Sequence, residues 1–251
     1  MMTASITQGD IWARLQSFYG GIPLQDIDYA VHISLRHKYI FMSVPKAACS
    51  MLRLAINRFE LDNQNVLPWA MDVIHAREFT PTLRPTQVGD FQSLVERPDY
   101  FKFCFVRDPH IRLLSSYLNR IAGDKAQKQV VLRGVGLADA PLETHVSFET
   151  FVSFVSSQSP AEMDPHWRPQ YHQTLQGALP YNFIGRVERL HEDLDVVAGH
   201  LGRDFLSCVP KEPMNVHNAA GLFERYYTPK LLEEVTQLYA IDFDTFGYAK
   251  R

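Results

Sequence analysis

Two short segments of the chain combine cationic and hydroxyl side chains in a pattern that suits the binding of anions. In the first segment, Pro45 and Lys46 precede four small residues, which are Ala47, Ala48, Cys49 and Ser50. Small residues let an anion approach the backbone, the lysine supplies a point charge, and the serine hydroxyl can donate a hydrogen bond. If a helix begins here, its unpaired N–H groups complete a cradle for a phosphate group. A lone lysine at an exposed helix start is the alternative interpretation.

The second segment begins where the apolar run Phe101–Val106 ends. Arg107 follows this run directly, and its planar guanidinium suits a pair of phosphate oxygens. Asp108 can cap a helix whose first turn contains Pro109, and Ser115 lies two turns further along that helix. An ordinary capped helix with a structural Arg–Asp pair is the alternative interpretation. Two anion sites of this kind together imply a ligand that carries phosphates at two ends.

Both segments follow short apolar runs that are typical of buried strands, Tyr39–Val44 and Phe101–Val106. Apolar residues at helical spacing come after each run, from about Ala48 and from Pro109. A third strand is predicted at Asn182–Ile184, and further helices are predicted at 148–155, 187–201 and 231–239. Repeated strand, turn and helix predict an α/β fold with a mainly parallel sheet, which binds ligands where strands end and helices begin.

The composition limits the class of protein. The chain has 251 residues, of which 46% are hydrophobic, so it is long and apolar enough to bury a core and is not expected to be disordered. A net charge of −3 argues against nucleic-acid binding. Three scattered cysteines fit neither a disulfide framework nor a zinc site and suggest a reducing compartment. No apolar run is long enough for a membrane-spanning helix, so we expect a cytoplasmic protein; its oligomeric state is not indicated.

Five sequence motifs resemble those of a known enzyme family. VPKAACSML, at 44–52, is similar to the 5′-phosphosulfate loop of sulfotransferases that use 3′-phosphoadenosine 5′-phosphosulfate (PAPS), and FVRDPHIRLLSSY, at 105–117, is similar to their 3′-phosphate segment. HWRPQ at 166–170, YNFIGRVERL at 181–190 and LYAIDFDTFGY at 238–248 resemble the chondroitin and HNK-1 type of carbohydrate sulfotransferase, sulfotransferase family 2.

The resemblance implies a three-layer, P-loop-like α/β fold in which a central, mainly parallel sheet is flanked by helices. The resemblance runs from about residue 38 to the end, and one sulfotransferase domain is expected over 1–251. The amphipathic pattern of residues 8–20 predicts that 1–37 form an N-terminal helical extension. The Gly- and charge-rich segment 123–145 is expected to form a surface loop or lid. Golgi members of the family carry a membrane anchor, and they commonly have a cysteine pair after HWxPQ. Neither is evident here, which suggests a bacterial-type soluble member and leaves the acceptor open.

The resemblance also implies roles for individual residues. Lys46 would hold the 5′-phosphate and stabilise the charge on the bridging oxygen, while the amides of 47–50 and the hydroxyl of Ser50 would grip the same phosphate. Arg107 and Ser115 would bind the 3′-phosphate. PAPS would be the donor and PAP (3′,5′-ADP) the product, and the in-line displacement needs no metal.

A general base must take the proton from the acceptor hydroxyl. The family places a His or Glu between the two phosphate segments, and His75 occupies that window with Glu78 three residues later. We favour His75, with Glu78, Asp72 or His166 as alternatives. The other interpretation is that His75 is a surface histidine in a polar helix or loop and has no catalytic role.

The leading hypothesis is therefore a PAPS-dependent O-sulfotransferase acting on a carbohydrate or another small hydroxylated molecule. A P-loop-like kinase is one alternative, although the GxxxxGK[ST] pattern of a Walker A loop is absent. A catalytically inactive module that only binds a nucleotide is the other.

Overall fold

A computed structural model describes residues 21–62, 70–212, 214 and 218–251. The chain divides into two compact units. The first comprises Met1–Val106 and Thr174–Met214, and the second comprises Arg107–Gln173 and Asn215–Arg251. The expectation of one domain over the whole chain stays a prediction.

Four strands and thirteen α-helices occur in the described residues. The strands are β1 (Val31–Ser34), β2 (Tyr39–Met42), β3 (Phe101–Val106) and β4 (Phe183–Arg186). The α-helices are α1 (Leu24–Ala30), α2 (Cys49–Glu60), α3 (Met71–His75), α4 (Phe91–Glu96), α5 (Pro109–Ser116), α6 (Gln127–Gly134), α7 (Phe148–Ser156), α8 (Gln170–Gln173), α9 (Leu190–Leu201), α10 (Phe205–Cys208), α11 (Phe223–Tyr226), α12 (Pro229–Leu238) and α13 (Ala240–Phe246). Short 3₁₀ turns occur at Arg77–Phe79, Pro85–Gln87 and Val187–Arg189, and a π-helical turn at Tyr117–Ile121.

The first unit contains a central four-stranded sheet in the order β1-β2-β3-β4. Strand β1 pairs with β2 in the antiparallel direction, whereas β2, β3 and β4 are parallel to one another. The strands predicted from the apolar runs are confirmed, and so is the mainly parallel α/β sheet flanked by helices. In this register Phe41 lies beside Phe103, and Phe105 lies beside Gly185.

Aromatic side chains fill the core on one face of this sheet. Phe103 stacks between Phe41 and Phe101, with ring centroids 5.0 and 5.2 Å away. Helices α2, α9 and α10 cover these rings with apolar side chains, among them Leu52, Ile56, Leu194, Val197 and Phe205. A β-carbon on Gly185 would lie 2.5 Å from Phe105 Cε1, so the chain has room only for glycine at this position of β4.

The second unit is helical in its described residues. Its core packs the face of α7 against the tryptophan of the HWRPQ segment, with Phe151 and Trp167 edge to face at 5.4 Å between ring centroids. Further buried side chains come from α5, α12 and α13, including Leu114, Val235 and Phe243.

Two expectations about individual segments are corrected by the structure. The segment 123–145 is not simply a surface loop, because it contains α6, in which Val131 and Leu132 are completely buried. Tertiary packing of these two apolar residues explains why a helix forms in a Gly- and charge-rich stretch. Of the helical extension expected at 1–37, residues 1–20 lie outside the described part of the chain. The remainder contains both helix α1 and strand β1, so the described part of this segment is only partly helical.

Candidate active site

The loop between β2 and α2 has an unusual backbone conformation. Lys46 and Ala48 both have positive φ angles, 67° and 57°, which side chains other than glycine rarely adopt. Alternation of left- and right-handed residues turns successive N–H groups toward one side of the chain and forms a concave site for an anion. Strained backbone of this kind is typical of ligand-binding loops.

Helix α2 begins directly after this loop, with Ala48 as the N-cap residue. Ala48 provides no side-chain hydrogen bond to the first turn, and no acidic residue lies in that turn. The positive end of a 12-residue helix is therefore not neutralised by a carboxylate of its own cap or first turn. Ala47 is buried, while Pro45, Lys46, Ala48 and Cys49 are partly exposed. The positive φ angles and the missing side-chain cap are compatible with the anion site predicted here, whose role stays a prediction.

His75 lies at the end of α3 and contacts the start of α2. Its Nε2 is 2.9 Å from the hydroxyl oxygen of Ser50, and its Nδ1 is 3.0 Å from the hydroxyl oxygen of Tyr29. Among the alternatives for the base, Asp72 and Glu78 are both exposed. The structure therefore brings His75 together with Ser50 of the predicted phosphosulfate loop.

Tyr29 contacts His75 directly, and Arg53 in turn contacts Tyr29. Neither residue was predicted from the sequence. Arg53 is 2% exposed, and its guanidinium carbon lies 4.1 Å from the centroid of the Tyr29 ring. It donates hydrogen bonds to Ser43 Oγ at 2.9 Å and to the carbonyl oxygen of Tyr29 at 3.1 Å. Burial lowers the pKa of Arg53. No sequence signal marks these residues, because Tyr29 is 46 positions away from His75.

A second buried guanidinium, that of Arg77, lies two residues after His75 in the chain. It donates to His32 Nδ1 at 2.6 Å and to the carbonyl oxygen of Val31 at 2.9 Å. Burial, with further contributions from the nearby Arg53 and Arg84, lowers the pKa of Arg77 to about 9. The histidine-containing side of the first junction is therefore rich in buried positive charge.

The junction after β3 is built differently. Asp108 caps α5, because its Oδ1 accepts hydrogen bonds from the amides of His110 at 2.9 Å and Ile111 at 3.2 Å. Arg107, immediately before the cap, is partly exposed. Ser115 is 4% exposed, and its hydroxyl makes no hydrogen bond within the described part of the chain, which leaves it available to a ligand.

Arg112, the other arginine of this segment, has a structural environment. It is 1% exposed and donates to the carbonyl oxygens of Arg168 at 2.8 Å and Pro165 at 2.9 Å. These bonds hold the HWRPQ segment and the residue before it in place, which gives Arg112 a structural role.

His166, the last alternative for the base, already uses both ring nitrogens. Nδ1 is 2.6 Å from Asp164 Oδ1, and Nε2 is 2.6 Å from Arg120 Nη2. Because a guanidinium can only donate, Nε2 accepts that hydrogen bond and Nδ1 carries the proton. Burial is the largest single influence on the pKa of Asp164 and would raise it, but the hydrogen bonds and charge of His166 and the charge of Arg120 together outweigh burial, so the pKa is lowered. Both ring nitrogens of His75 also have partners, but these are neutral hydroxyls, whereas a cationic guanidinium occupies Nε2 of His166. This difference favours His75 as the base.

Comparison with known proteins agrees with these features. Residues 30–249 match the model of a family described as "Sulfotransferase family". The chain therefore belongs to this sulfotransferase family, as its motifs predict. No solved structure matches the chain.

The curated relatives include carbohydrate sulfotransferases of vertebrates. Carbohydrate sulfotransferase 14 of Mus musculus is 30% identical over 236 residues, covering 86% of this chain and 59% of the relative. The same enzyme of Homo sapiens is 29% identical with the same coverage. Carbohydrate sulfotransferase 12 of Xenopus laevis is 25% identical, covering 92% of this chain and 63% of the relative. This chain thus spans about three fifths of the length of these relatives.

Some expectations remain untested. The relatives offer no support for a bacterial-type soluble member, and that expectation and the cytoplasmic location stay predictions. Among the helices of the described residues, none has the length and apolar character needed to cross a membrane. The same part of the chain contains no cluster of three or more His, Cys, Asp or Glu residues suited to a metal ion. The family assignment leaves the kinase alternative without support.

Proposed function

We propose that the protein transfers a sulfuryl group from PAPS to a hydroxyl of a carbohydrate or another small hydroxylated acceptor. The observation that carries this proposal is the contact between His75 Nε2 and Ser50 Oγ at 2.9 Å. It joins the candidate base to the loop that resembles the family's phosphosulfate site. Carbohydrate is the favoured acceptor class because the relatives are named for it.

The first junction would bind the 5′ end of the donor. Its left-handed residues Lys46 and Ala48, together with the uncapped start of α2, fit an anionic group. Lys46 would hold the 5′-phosphate with the amides of Ala48 and Cys49 and the amide and hydroxyl of Ser50. The Ala47 amide, which was expected to join them, donates to the carbonyl oxygen of Val44 at 3.2 Å instead. At the second junction, Arg107 and the available hydroxyl of Ser115 would bind the 3′-phosphate, which distinguishes PAPS from ATP-like nucleotides.

Lys46 and His75 would carry the chemistry. The acceptor oxygen forms a bond to sulfur while the bond from sulfur to the bridging oxygen of the 5′-phosphate breaks. Lys46 would stabilise the negative charge that develops on the bridging oxygen, a form of catalysis by a positioned charge. His75 would take the proton of the acceptor hydroxyl at Nε2. In the tautomer that this role needs, Nδ1–H donates to the hydroxyl oxygen of Tyr29, and Nε2 accepts from Ser50 until the acceptor replaces it.

Donor binding is the first test. Calorimetric titration without magnesium should show that 3′,5′-ADP, the desulfated product, binds much more tightly than 5′-AMP. Transfer of labelled sulfate from PAPS to a panel of carbohydrate acceptors then tests the activity. Equal binding of the two nucleotides would overturn the proposal. Selective 3′,5′-ADP binding without transfer to any acceptor would favour the inactive nucleotide-binding module.

The choice of base is tested with three matched variants. His75→Ala should lower kcat by about 10²- to 10⁴-fold, the usual contribution of a general base. Asp72→Asn and Glu78→Gln remove nearby exposed carboxylates and should leave kcat almost unchanged. A larger loss in Glu78→Gln than in His75→Ala would transfer the role to Glu78.

A further inference from the structure

Gln170, the last residue of the HWRPQ motif, makes two hydrogen bonds to the backbone of Arg107. Its Oε1 accepts from the Arg107 amide at 2.9 Å, and its Nε2 donates to the Arg107 carbonyl oxygen at 2.8 Å. The side-chain amide thus bonds to the N–H and the C=O on either side of one α-carbon. Two bonds of this kind restrict both backbone dihedral angles of Arg107, and with them the direction in which its side chain leaves the chain.

Asp242, from the closing LYAIDFDTFGY motif, holds Gln170 in turn. Its Oδ2 accepts from the Gln170 amide at 2.7 Å and lies 3.4 Å from Nε2, while its Oδ1 accepts from the Tyr171 amide at 2.8 Å. Gln170 and Asp242 are both 0% exposed. Because Nε2 faces two acceptors and Oε1 faces a donor, only one orientation of the Gln170 amide satisfies all these groups.

We infer that Gln170 and Asp242 are positioning residues that fix Arg107 for recognition of a 3′-phosphorylated nucleotide. The inference rests on the proposed role of Arg107 and explains why two motifs far along the chain accompany the 3′-phosphate segment. Arg107 lies just past the last residue of β3, and there Gln170 bonds to both of its backbone polar groups. Preorganisation of the arginine lowers the entropy lost when the phosphate binds.

The test compares two buried glutamines of the same short helix, α8. Gln170→Met removes both hydrogen bonds to Arg107 with little change in side-chain volume. Gln173→Met is the matched control, because Gln173 is also buried but accepts from Arg168 Nη1, at 3.4 Å. The readout is the ratio of the affinities for 3′,5′-ADP and 5′-AMP, measured by calorimetry. Gln170→Met should reduce this ratio at least tenfold and change the 5′-AMP affinity less than twofold, while Gln173→Met should retain the ratio.

A folded Gln170→Met variant that keeps the ratio of the wild type would overturn the inference, as would an equal loss of affinity for both nucleotides. If this variant does not unfold cooperatively, Asp242→Asn takes its place, since it keeps the side-chain shape and replaces one of the two oxygens that accept from the amides of Gln170 and Tyr171. Hydrogen exchange on the unmodified protein gives an independent check. The Arg107 amide should exchange slowly without nucleotide, and exchange at the rate of an exposed loop would contradict the inference.

Arg107→Ala separates this inference from the proposed function. If wild-type protein prefers 3′,5′-ADP and Arg107→Ala abolishes the preference, Arg107 is the recognition residue and the Gln170 result then decides the positioning role. If Arg107→Ala has no effect, the proposed role of Arg107 is wrong and the inference falls with it.

Discussion

The two strand-to-helix junctions of the molecule differ in how the first turn of the following helix is capped. At the first junction, Lys46 and Ala48 hold a strained backbone, and α2 starts without a side-chain cap. At the second junction, Asp108 caps α5 and Gln170 holds the backbone of Arg107. At the first junction the cap residue gives no side-chain hydrogen bond to the first turn of the helix, whereas at the second junction a carboxylate accepts from two amides of that turn.

This difference indicates what each junction can recognise. A helix start without a carboxylate attracts an anion through its backbone and dipole, so small residues and strain are useful there. A helix start occupied by the Asp108 carboxylate repels a second anion from the same amides. A phosphate at the second junction must therefore be bound by side chains, which is the role we assign to Arg107 and Ser115.

The largest effect on activity is expected from substitution of Lys46, at the first junction. Lys46→Ala should lower kcat/KM for sulfate transfer by about 10³-fold, comparable to the loss of one charge-stabilising donor in other enzymes. Lys38→Ala is the control, because Lys38 is another lysine with a positive φ angle, 50°, but is ion-paired to Asp99 at 3.1 Å. Comparable losses in both variants would show that the loss at Lys46 is a backbone effect rather than a chemical one.

At the second junction we expect substitutions to reduce the selectivity for the 3′-phosphorylated nucleotide rather than the rate of sulfuryl transfer. Arg107→Ala should weaken 3′,5′-ADP about 100-fold and Ser115→Ala about tenfold, as expected for hydrogen bonds to a charged group. The affinity for 5′-AMP should hardly change. Ser116→Ala provides the control, since the Ser116 hydroxyl donates within the protein, to the carbonyl oxygens of Arg112 and His166. A selective loss of 3′,5′-ADP affinity in Ser116→Ala instead of Ser115→Ala would reassign the hydroxyl.

The cap of α5 should matter for stability. Asp108→Ala removes the acceptor for two amides and should lower the free energy of unfolding by about 2 kcal/mol, the upper part of the range for N-caps. Asp108→Asn retains an acceptor oxygen and should lose less. Denaturant unfolding measures both variants, and Asp90→Ala, at the exposed cap of α4 where Asp90 accepts from the Ser93 amide at 3.0 Å, should lose less than Asp108→Ala. An equal loss at the two caps would contradict the special role of the buried one.

Much of this comparison could be predicted from the sequence. The apolar run Phe101–Val106 is long enough to identify a buried strand, and Arg107 and Asp108 follow it directly. The same holds for Tyr39–Met42 and the small residues after Lys46. Local patterns are sufficient here, because strand, turn and helix start are adjacent in the chain.

The remaining features depend on contacts between distant residues. Gln170 and Asp242 are 72 positions apart, so no local pattern indicates that they meet at Arg107. Strand β1 alternates apolar residues with His32 and Ser34, so it lacks the continuous apolar run that marks β2, and it is identified only by its pairing with β2. Helix α6 was missed because the burial of Val131 and Leu132 decides its structure, and glycines and charges nearby conceal it.

The two junctions also differ in the charge buried around them, which predicts a pH effect on stability. Burial, followed by the charges of Arg77, Arg53 and His75, lowers the pKa of His32 well below its usual value. The unfolded chain therefore binds a proton near pH 6.5 that the folded protein excludes, so stability falls as the pH falls. As the pH falls from 7.5 to 5.5, this histidine should reduce the free energy of unfolding, by an amount on the order of 1 kcal/mol.

Denaturant unfolding across this pH range measures the effect of His32. His32→Asn keeps an acceptor near the position of Nδ1. It should remove the part of the pH dependence of the free energy of unfolding that we assign to His32. His145→Asn, at an exposed histidine, should retain the dependence of the wild type. An unchanged slope in His32→Asn would contradict the assignment of the acid sensitivity to this residue.

The smallest effect tests the strain at the first junction itself. Ala48→Gly relieves a left-handed conformation that costs an alanine about 1 kcal/mol or more, and the greater freedom of glycine in the unfolded chain offsets part of this gain. The free energy of unfolding should therefore rise, by less than about 1 kcal/mol. Ala47→Gly should have the opposite sign, because Ala47 is 1% exposed and has a negative φ angle. If both substitutions destabilise the protein equally, the loop is not strained, and the contrast with the capped junction would rest on the missing cap alone.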